Sequence, residues 1–128
     1  MLFRSRLLLT GRQFLLPGGG WLILGRNEQE NARLLTMVQE GDAVLSMPVR
    51  PGPTALLRRP GRCYEYGAQL QEALQLAASL VVRFGKKMKD GPAEGEVRIS
   101  MGRETHTLTV PLLADHVFQG WILNDADR

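Results

Sequence analysis

The sequence predicts an α+β fold, with a mainly antiparallel sheet and two principal helices in one compact domain that spans residues 1–128. Apolar runs and helical patterns alternate in the order strands, helix, strands, helix, strands. Two pairs of these runs flank short glycine-containing turns, which is the pattern of β-hairpins. A chain of 128 residues that is 44% hydrophobic and 23% charged has the size and composition of one globular domain.

The first hairpin is predicted at residues 14–24. Residues 14–16 (FLL) and 21–24 (WLIL) are apolar and flank the sequence PGGG, which suits a tight turn. We expect a further strand at residues 7–9 to pair with this hairpin. The first 27 residues hold four arginines and no acidic residue, as some transit peptides do. A structured hairpin accounts better for their apolar runs, so we expect no cleaved leader.

A helix is predicted directly after this hairpin, starting in the sequence GRNEQEN at residues 25–31. Asn27 is a suitable N-cap, because its side-chain oxygen can accept a bond from an N–H two or three residues later. Glu30 is placed to reach back to the N-cap residue, as in a capping box. The helix is expected to end at EGD, residues 40–42. Its apolar face is expected to hold Leu34, Leu35 and Val38.

The middle of the chain is predicted to add two strands and the main helix. Residues 42–49 (DAVLSMPV) read as a strand, and prolines limit the apolar segment at residues 54–58 to an edge or a short strand. Residues 66–84 repeat apolar side chains at helical spacing over a broad face. This second helix should therefore be mostly buried, with Gly85 as its C′ residue.

The C-terminal third is predicted to contain a second hairpin and a last strand. Alternating polar and apolar residues at 95–102 (GEVRISMG) and 104–113 (ETHTLTVPLL) meet at Gly102-Arg103. The tail, residues 115–128 (DHVFQGWILNDADR), is expected to supply one more strand and an acidic end.

The sequence carries no catalytic signature, and we expect that the chain is not an enzyme. It contains no GxSxG, P-loop, HExxH or CxxC motif. His106 and His116 are isolated and Cys63 is the one cysteine, so neither a metal site nor a cofactor is predicted. A lone cysteine and apolar runs too short to span a bilayer indicate a cytoplasmic protein without a membrane partner.

Basic residues carry the strongest functional signal. The net charge is +3, and residues 1–62 hold nine basic against four acidic residues. Arg26 precedes a helix start, where free amides favour an anion, so Arg26 and Asn27 are candidates for a phosphate site. The local pattern leaves open that Asn27 only caps and that the basic residues are solvated. Further contacts to a nucleic-acid backbone are expected from Arg50, Arg58, Arg59, Lys86 and Lys87.

Aromatic residues, at 6% of the chain, offer few stacking surfaces for unpaired bases. Trp21 lies in an apolar strand, which favours a place in the core. The candidates are Phe14, Trp21, Tyr64, Tyr66 and Trp121.

The stretch from the first hairpin to the middle strands resembles the NFACT-R (NFACT RNA-binding) domain family. The shared elements are Gly25-Arg26-Asn27, Asn31, the segment at residues 42–45, and Pro51-Gly52-Pro53. An alanine-rich helix and a following strand extend the resemblance over residues 20–100. It implies an RNA-binding domain, with Asn31 added to the RNA-binding residues.

One departure narrows this resemblance. Pro53-Thr54 follows the Pro-Gly turn where a Ser-His pair is usual in the family. The sequence is more similar to a bacterial variant attached to PP-loop proteins of the tRNA 2-thiouridylase type. That variant implies tRNA as the ligand and a PP-loop ATPase domain in cis or in trans. The chain itself contains no PP-loop motif, so no sulfur-transfer chemistry is assigned to it.

Three functions are compatible with the sequence. The leading one is a non-catalytic tRNA-binding module, either the C-terminal part or a separate partner of a PP-loop thiolation protein. The second is a docking domain that binds a PP-loop enzyme through an exposed apolar strand, with Trp21 or Trp121 at the interface. The third, a nucleotide-sensing or small-molecule enzyme, lacks a paired acid and base in the sequence.

Overall fold

The computed structural model describes residues 10–65, 67–86 and 94–123. The strand expected at residues 7–9, the acidic end of the tail and the candidates Tyr66 and Lys87 lie outside these ranges. In the described part of the chain, six strands and three α-helices form one α+β domain, which confirms the predicted fold class. The strands are β1 (Arg12–Leu15), β2 (Trp21–Leu24), β3 (Ala43–Ser46), β4 (Ala55–Arg58), β5 (Glu94–Met101) and β6 (Glu104–Pro111). The helices are α1 (Glu28–Leu35), α2 (Ala68–Phe84) and α3 (Asp115–Phe118), with 3-10 turns at Pro60–Arg62 and Gln119–Trp121.

All six strands belong to one antiparallel sheet in the order β1-β2-β4-β3-β5-β6. Both predicted hairpins are present: β1 pairs with β2 across PGGG, and β5 pairs with β6 across Gly102-Arg103. β4 is short, as expected, but it lies between β2 and β3 rather than at an edge. Pro51 and Pro53 precede this strand, so they remove no N–H from its ladder.

The two main helices cover opposite faces of the sheet. α2 packs on the face that carries the main core, where Ala77 and Ala78 are fully buried and let the helix approach the strands closely. α1 packs on the other face, over a smaller cluster of Ile23, Leu34, Met37 and Leu56. Alternating side chains along β2 and β4 serve both cores, because successive residues of a strand point to opposite faces.

The first helix starts as predicted and ends earlier. Asn27 is its N-cap and accepts a bond from the Glu30 amide at 2.9 Å. The helix ends at Leu35, before the predicted EGD stop, and the amide of Thr36 turns back to the Arg33 carbonyl. Because helical spacing stops there, the predicted apolar face is wrong beyond Leu34. Leu35 and Val38 are 55% and 40% exposed. Met37 is buried instead and joins Leu34 in the small core beneath α1.

Two C-terminal predictions differ from the structure. The tail forms α3 and a 3-10 turn instead of a strand, with a single bridge between Ile122 and Phe14. Gly85 ends α2 in an extended conformation and not in the left-handed one that a C′ glycine usually adopts. A Cβ there would lie 2.5 Å from the Met47 sulfur, so a larger residue would require the Met47 side chain to move.

Candidate nucleic-acid interface

The sheet places the candidate residues at two opposite ends. β2 ends at Leu24 opposite Ala55, where β4 begins, and this end carries Arg26, Asn27, Asn31, Arg50 and Lys86. We call these five residues and their surroundings the pocket end, after a pocket at this end that is described below. Arg58 and Arg59 follow at the other end of β4, here called the arginine end. β4 has four residues at about 3.3 Å each, so the two ends are about 10 Å apart along the strand.

At the pocket end, Arg26 is held by Glu30. The Arg26 guanidinium donates to the two carboxylate oxygens of Glu30 at 2.9 and 2.8 Å, and the Arg26 amide adds a bond of 2.9 Å. The same carboxylate accepts from the amide of Gly11 at 3.1 Å. The bonds from Arg26 hold the pKa of Glu30 well below its usual value, at about 2. Glu30 was predicted to reach back to the N-cap, Asn27. It reaches Arg26 instead, one residue earlier, and neutralises the positive charge of Arg26.

Asn31 joins α1 to the start of β4. Its side-chain oxygen accepts from the Thr54 amide at 3.0 Å, while the Thr54 carbonyl accepts from the Gly25 amide at 3.0 Å. A Cβ on Gly25 would collide with the Asn31 side chain, so glycine is required by this close approach. The Gly-Arg-Asn sequence and Asn31 thus form one packed corner, and both asparagine oxygens are already engaged.

Arg50 lies in the loop that precedes β4, and Lys86, just after α2, contacts this loop. The Lys86 amide donates to the Pro51 carbonyl at 2.9 Å, which fixes the C-terminal end of α2 against this loop. Arg50 is half-buried and donates from its guanidinium to the Glu94 carbonyl at 3.2 Å, and its Nε is buried without a hydrogen bond. No described carboxylate forms an ion pair with either side chain. Within the described residues, neither positive charge is neutralised by a carboxylate.

At the arginine end, Asp42 organises the two arginines. Its carboxylate forms an ion pair with the Arg58 guanidinium and accepts from the Arg59 amide at 3.0 Å. The Asp42 side chain is fully buried and that of Arg58 is 15% exposed, so this pair is structural. Gln39 accepts from the Arg59 guanidinium at 3.1 Å. Arg59 keeps its positive charge without a described carboxylate beside its guanidinium.

A pocket of about 220 Å³ lies at the pocket end, and some of the residues that line it were not predicted as site residues. Arg12 and Phe84 line it together with Arg26, Asn27 and Glu28. The Arg12 guanidinium lies 4.3 Å from the centre of the Phe84 ring. The hairpin register pairs Arg12 with Leu24, so working out that register would have placed Arg12 beside Gly25 and Arg26. Nothing in the sequence indicated that Phe84 lines a pocket, because it is one more apolar residue in the pattern of a buried helix.

Other candidate groups remain isolated in the part of the chain that the structure describes. His106 is exposed on β6 and Cys63 is an exposed free cysteine. Among the described residues, no three His, Cys, Asp or Glu side chains cluster as metal ligands. No helix in the same ranges is long and apolar enough to cross a membrane.

The fold is that of a small α+β domain, and the predicted basic residues that the structure describes lie at two ends of β4. The chain belongs to the NFACT protein RNA binding domain family, whose model matches residues 11–122. This match extends past the 20–100 stretch that carried the resemblance and takes in the first hairpin strand and the short C-terminal helix.

A solved structure shares the fold. The C-terminal part of the fibronectin/fibrinogen-binding protein from Streptococcus suis superposes with a TM-score of 0.67 at 17% sequence identity. The superposition covers 89% of this chain and 50% of that chain, so this chain spans about half of the other structure. A comparison with curated protein sequences gave no match.

Proposed function

We propose that this chain is a non-catalytic RNA-binding module whose pocket end contacts the RNA backbone. The family match over residues 11–122 is the observation that carries the proposal. Phosphate contacts supply most non-specific affinity for nucleic acids, so the available cations decide where RNA binds.

Ion pairing separates the arginines into two groups. Arg26, Arg58 and Arg83 each form an ion pair, with Glu30, Asp42 and Asp115 respectively. A phosphate at one of these arginines would have to compete with a carboxylate that is already in contact. Arg50 and Lys86 face no such competition within the described residues, and Lys86 contacts the loop that contains Arg50. We therefore assign the phosphate contacts to Arg50 and Lys86, and a second contact on a longer RNA to Arg59.

In this proposal Arg26, Asn27 and Asn31 shape the surface. Asn27 caps α1 and Asn31 holds the start of β4, while Arg26 binds the Glu30 carboxylate, which in turn accepts from the Gly11 amide. Lys87 follows Lys86 in the sequence and would extend the contact. The same reasoning gives Arg58 a supporting role beside Asp42.

The affinity test uses charge-removing variants that keep the side-chain stem. Fluorescence anisotropy with a labelled single-stranded RNA would compare the wild type with the double variant Arg50→Gln, Lys86→Gln. Charge-assisted hydrogen bonds contribute about 1.5–3 kcal/mol each, so we expect affinity to fall at least about tenfold. The matched control, Arg33→Gln with Arg103→Gln, removes the same net charge at exposed positions elsewhere. Equal losses in both double variants would refute the site and leave only general attraction to a basic protein.

For the identity of the RNA, we propose tRNA, with a PP-loop protein as the partner in cis or in trans. The support is the similarity of residues 51–58 (PGPTALLR) to the variant found beside PP-loop domains. The anisotropy assay would compare tRNA with an unstructured RNA of equal length. A preference for tRNA is expected, and equal affinity would contradict this part of the proposal.

An exposed apolar patch supports the docking alternative. Leu15, Ile122 and Leu123 are 47%, 36% and 52% exposed. They lie together, because Ile122 bridges to Phe14 and the Leu123 amide donates to the Gln13 carbonyl at 2.8 Å. Trp121 adjoins this patch. A complex with a PP-loop protein that survives high salt and is lost in Leu15→Ser, Leu123→Ser would favour docking.

A further inference from the structure

The pocket at the pocket end differs in charge from the surface around it. Arg12 and Arg26 contribute two positive charges to its wall, and Glu28 contributes a negative one. Glu30, which neutralises Arg26, has a pKa of about 2 and is ionised at neutral pH. Counted over the described residues alone, these four charges cancel. A phosphate, which needs a net positive site, is therefore better placed at Arg50 and Lys86 outside the pocket, and a neutral polar group is better placed inside it.

The size of the pocket suits one flat heterocycle. Its volume of about 220 Å³ lies below the range of about 300–1,000 Å³ that is typical of sites for drug-sized ligands. It is also open to the surface, and Gly52 and Pro53 of the loop before β4 line it. A group attached to a chain can thus enter it while the chain stays outside.

One wall of the pocket is a prebuilt stacking element. The Arg12 guanidinium lies 4.3 Å from the centre of the Phe84 ring. The Phe84 ring is in turn fixed by the rings of Phe14 at 5.9 Å and Phe118 at 5.6 Å. Planar guanidinium groups are surfaces on which unpaired bases stack. Holding that plane against a fixed aromatic ring lowers the entropy lost when a base binds.

Glu28 gives the pocket a hydrogen-bond acceptor. It is exposed, lines the pocket, and forms neither an ion pair nor a hydrogen bond with a described residue. The side-chain oxygens of Asn27 and Asn31 are occupied by the Glu30 and Thr54 amides, so they are less available. A carboxylate recognises a base edge that offers N–H donors, and guanine presents two adjacent ones, at N1 and N2.

We propose that this pocket binds one unpaired nucleobase of the RNA, preferentially guanine. The base stacks on the Arg12 guanidinium, and its N–H donors bond to the Glu28 carboxylate. The proposal rests on the proposed RNA-binding function and adds base recognition to it. The flanking phosphates then lie toward Arg50 and Lys86. Base preference would thus depend on the pocket residues, and affinity for the RNA backbone would depend on Arg50 and Lys86.

The test uses short single-stranded RNAs and two variants of the full chain. Seven-nucleotide oligouridine probes carry guanosine, inosine or uridine at the central position, and anisotropy gives their affinities. Inosine lacks only the N2 amino group. We expect the guanosine probe to bind about tenfold more tightly than oligouridine, with inosine between them. Glu28→Gln should remove the difference between guanosine and inosine. Arg12→Lys keeps the charge and removes the plane, so it should lower affinity for the guanosine probe about tenfold and leave oligouridine binding nearly unchanged.

The outcomes separate this inference from the proposed function. Equal affinity for all three probes, or an unchanged preference in Glu28→Gln, would overturn the pocket assignment while leaving RNA binding in place. If the wild type binds none of the probes, the proposed function is overturned as well. Arg50→Gln with Lys86→Gln should weaken the three probes by the same factor, and a change in their ranking would contradict the separation of base and phosphate contacts. Thermal denaturation of each variant confirms that it is folded.

Discussion

Glu30→Gln is the substitution whose effect on stability follows most directly from the structure. The Glu30 carboxylate bonds to the guanidinium and amide of Arg26 and to the amide of Gly11. Glutamine has nearly the same shape, but it loses the charge and one of the two acceptor oxygens. The variant therefore tests the electrostatic role of Glu30 without creating a cavity.

The pKa of Glu30 sets the size of the effect. A fall from 4.5 to about 2 on folding corresponds to about 3 kcal/mol, because one pH unit is worth about 1.36 kcal/mol. This stabilisation is complete above pH 4.5 and is lost as the pH falls toward 2, since the folded state then binds the proton that the unfolded state already holds. At pH 7 the variant should lose about 3 kcal/mol, or about 10 °C in Tm for a domain of this size.

Urea denaturation at pH 7 and pH 3 measures both parts of this prediction. The difference in unfolding free energy between wild type and variant should shrink to about half at pH 3. At that pH the unfolded state already holds the proton on Glu30, so keeping the carboxylate ionised in the folded state stabilises the fold less. Glu28→Gln is the matched control: this residue lies on the same helical turn, is exposed, and should change stability by less than about 0.5 kcal/mol. A Glu30→Gln effect below about 0.5 kcal/mol, or one that is equal at the two pH values, would refute the argument.

Two further substitutions test the local packing. Gly25→Ala should destabilise the fold by about 1–3 kcal/mol, since its methyl group would collide with Asn31, and a thermal melt unchanged from wild type would contradict this contact. Tyr64→Phe should cost about 1–3 kcal/mol, because the Tyr64 hydroxyl donates to the Pro17 carbonyl at 2.6 Å and accepts from the Gly20 amide at 3.0 Å. Hydrogen exchange at Gly20 would report the loss, and unchanged protection of that amide would argue against the bond.

Local signals in the sequence were sufficient for most of the fold. Apolar runs around PGGG and alternating patterns around Gly102-Arg103 predicted the two hairpins, and Asn27 predicted the helix start. These features depend on residues close in sequence, where turn chemistry and capping act. The end of α1 was mispredicted because Met37, and not Val38, is taken into the small core beneath the helix. That choice depends on β2 and β4, which are distant in the sequence from Met37.

The candidate interface was less predictable, for a similar reason. The sequence predicts that Arg26, Arg58 and Arg59 contact one RNA backbone, yet Arg26 lies at one end of β4 and the other two lie at the opposite end. The sequence pattern predicts Glu30 as a capping residue and carries no sign of its bonds with the Arg26 guanidinium. Similarly, Asp42 sits 16 residues from Arg58 in the sequence and contacts it only after β3 and β4 pair. Which arginines keep an available charge is thus a property of the tertiary structure.

The salt dependence of RNA binding tests the central claim most directly. Affinity of the wild type and of Arg50→Gln, Lys86→Gln for a single-stranded RNA would be measured at several salt concentrations. Each neutralised phosphate contributes about 0.7 to the slope of log affinity against log salt, so the double variant should have a slope smaller by about 1.4. Parallel lines for the two proteins, or no RNA binding at low salt, would contradict an RNA-binding module that contacts phosphate at the pocket end.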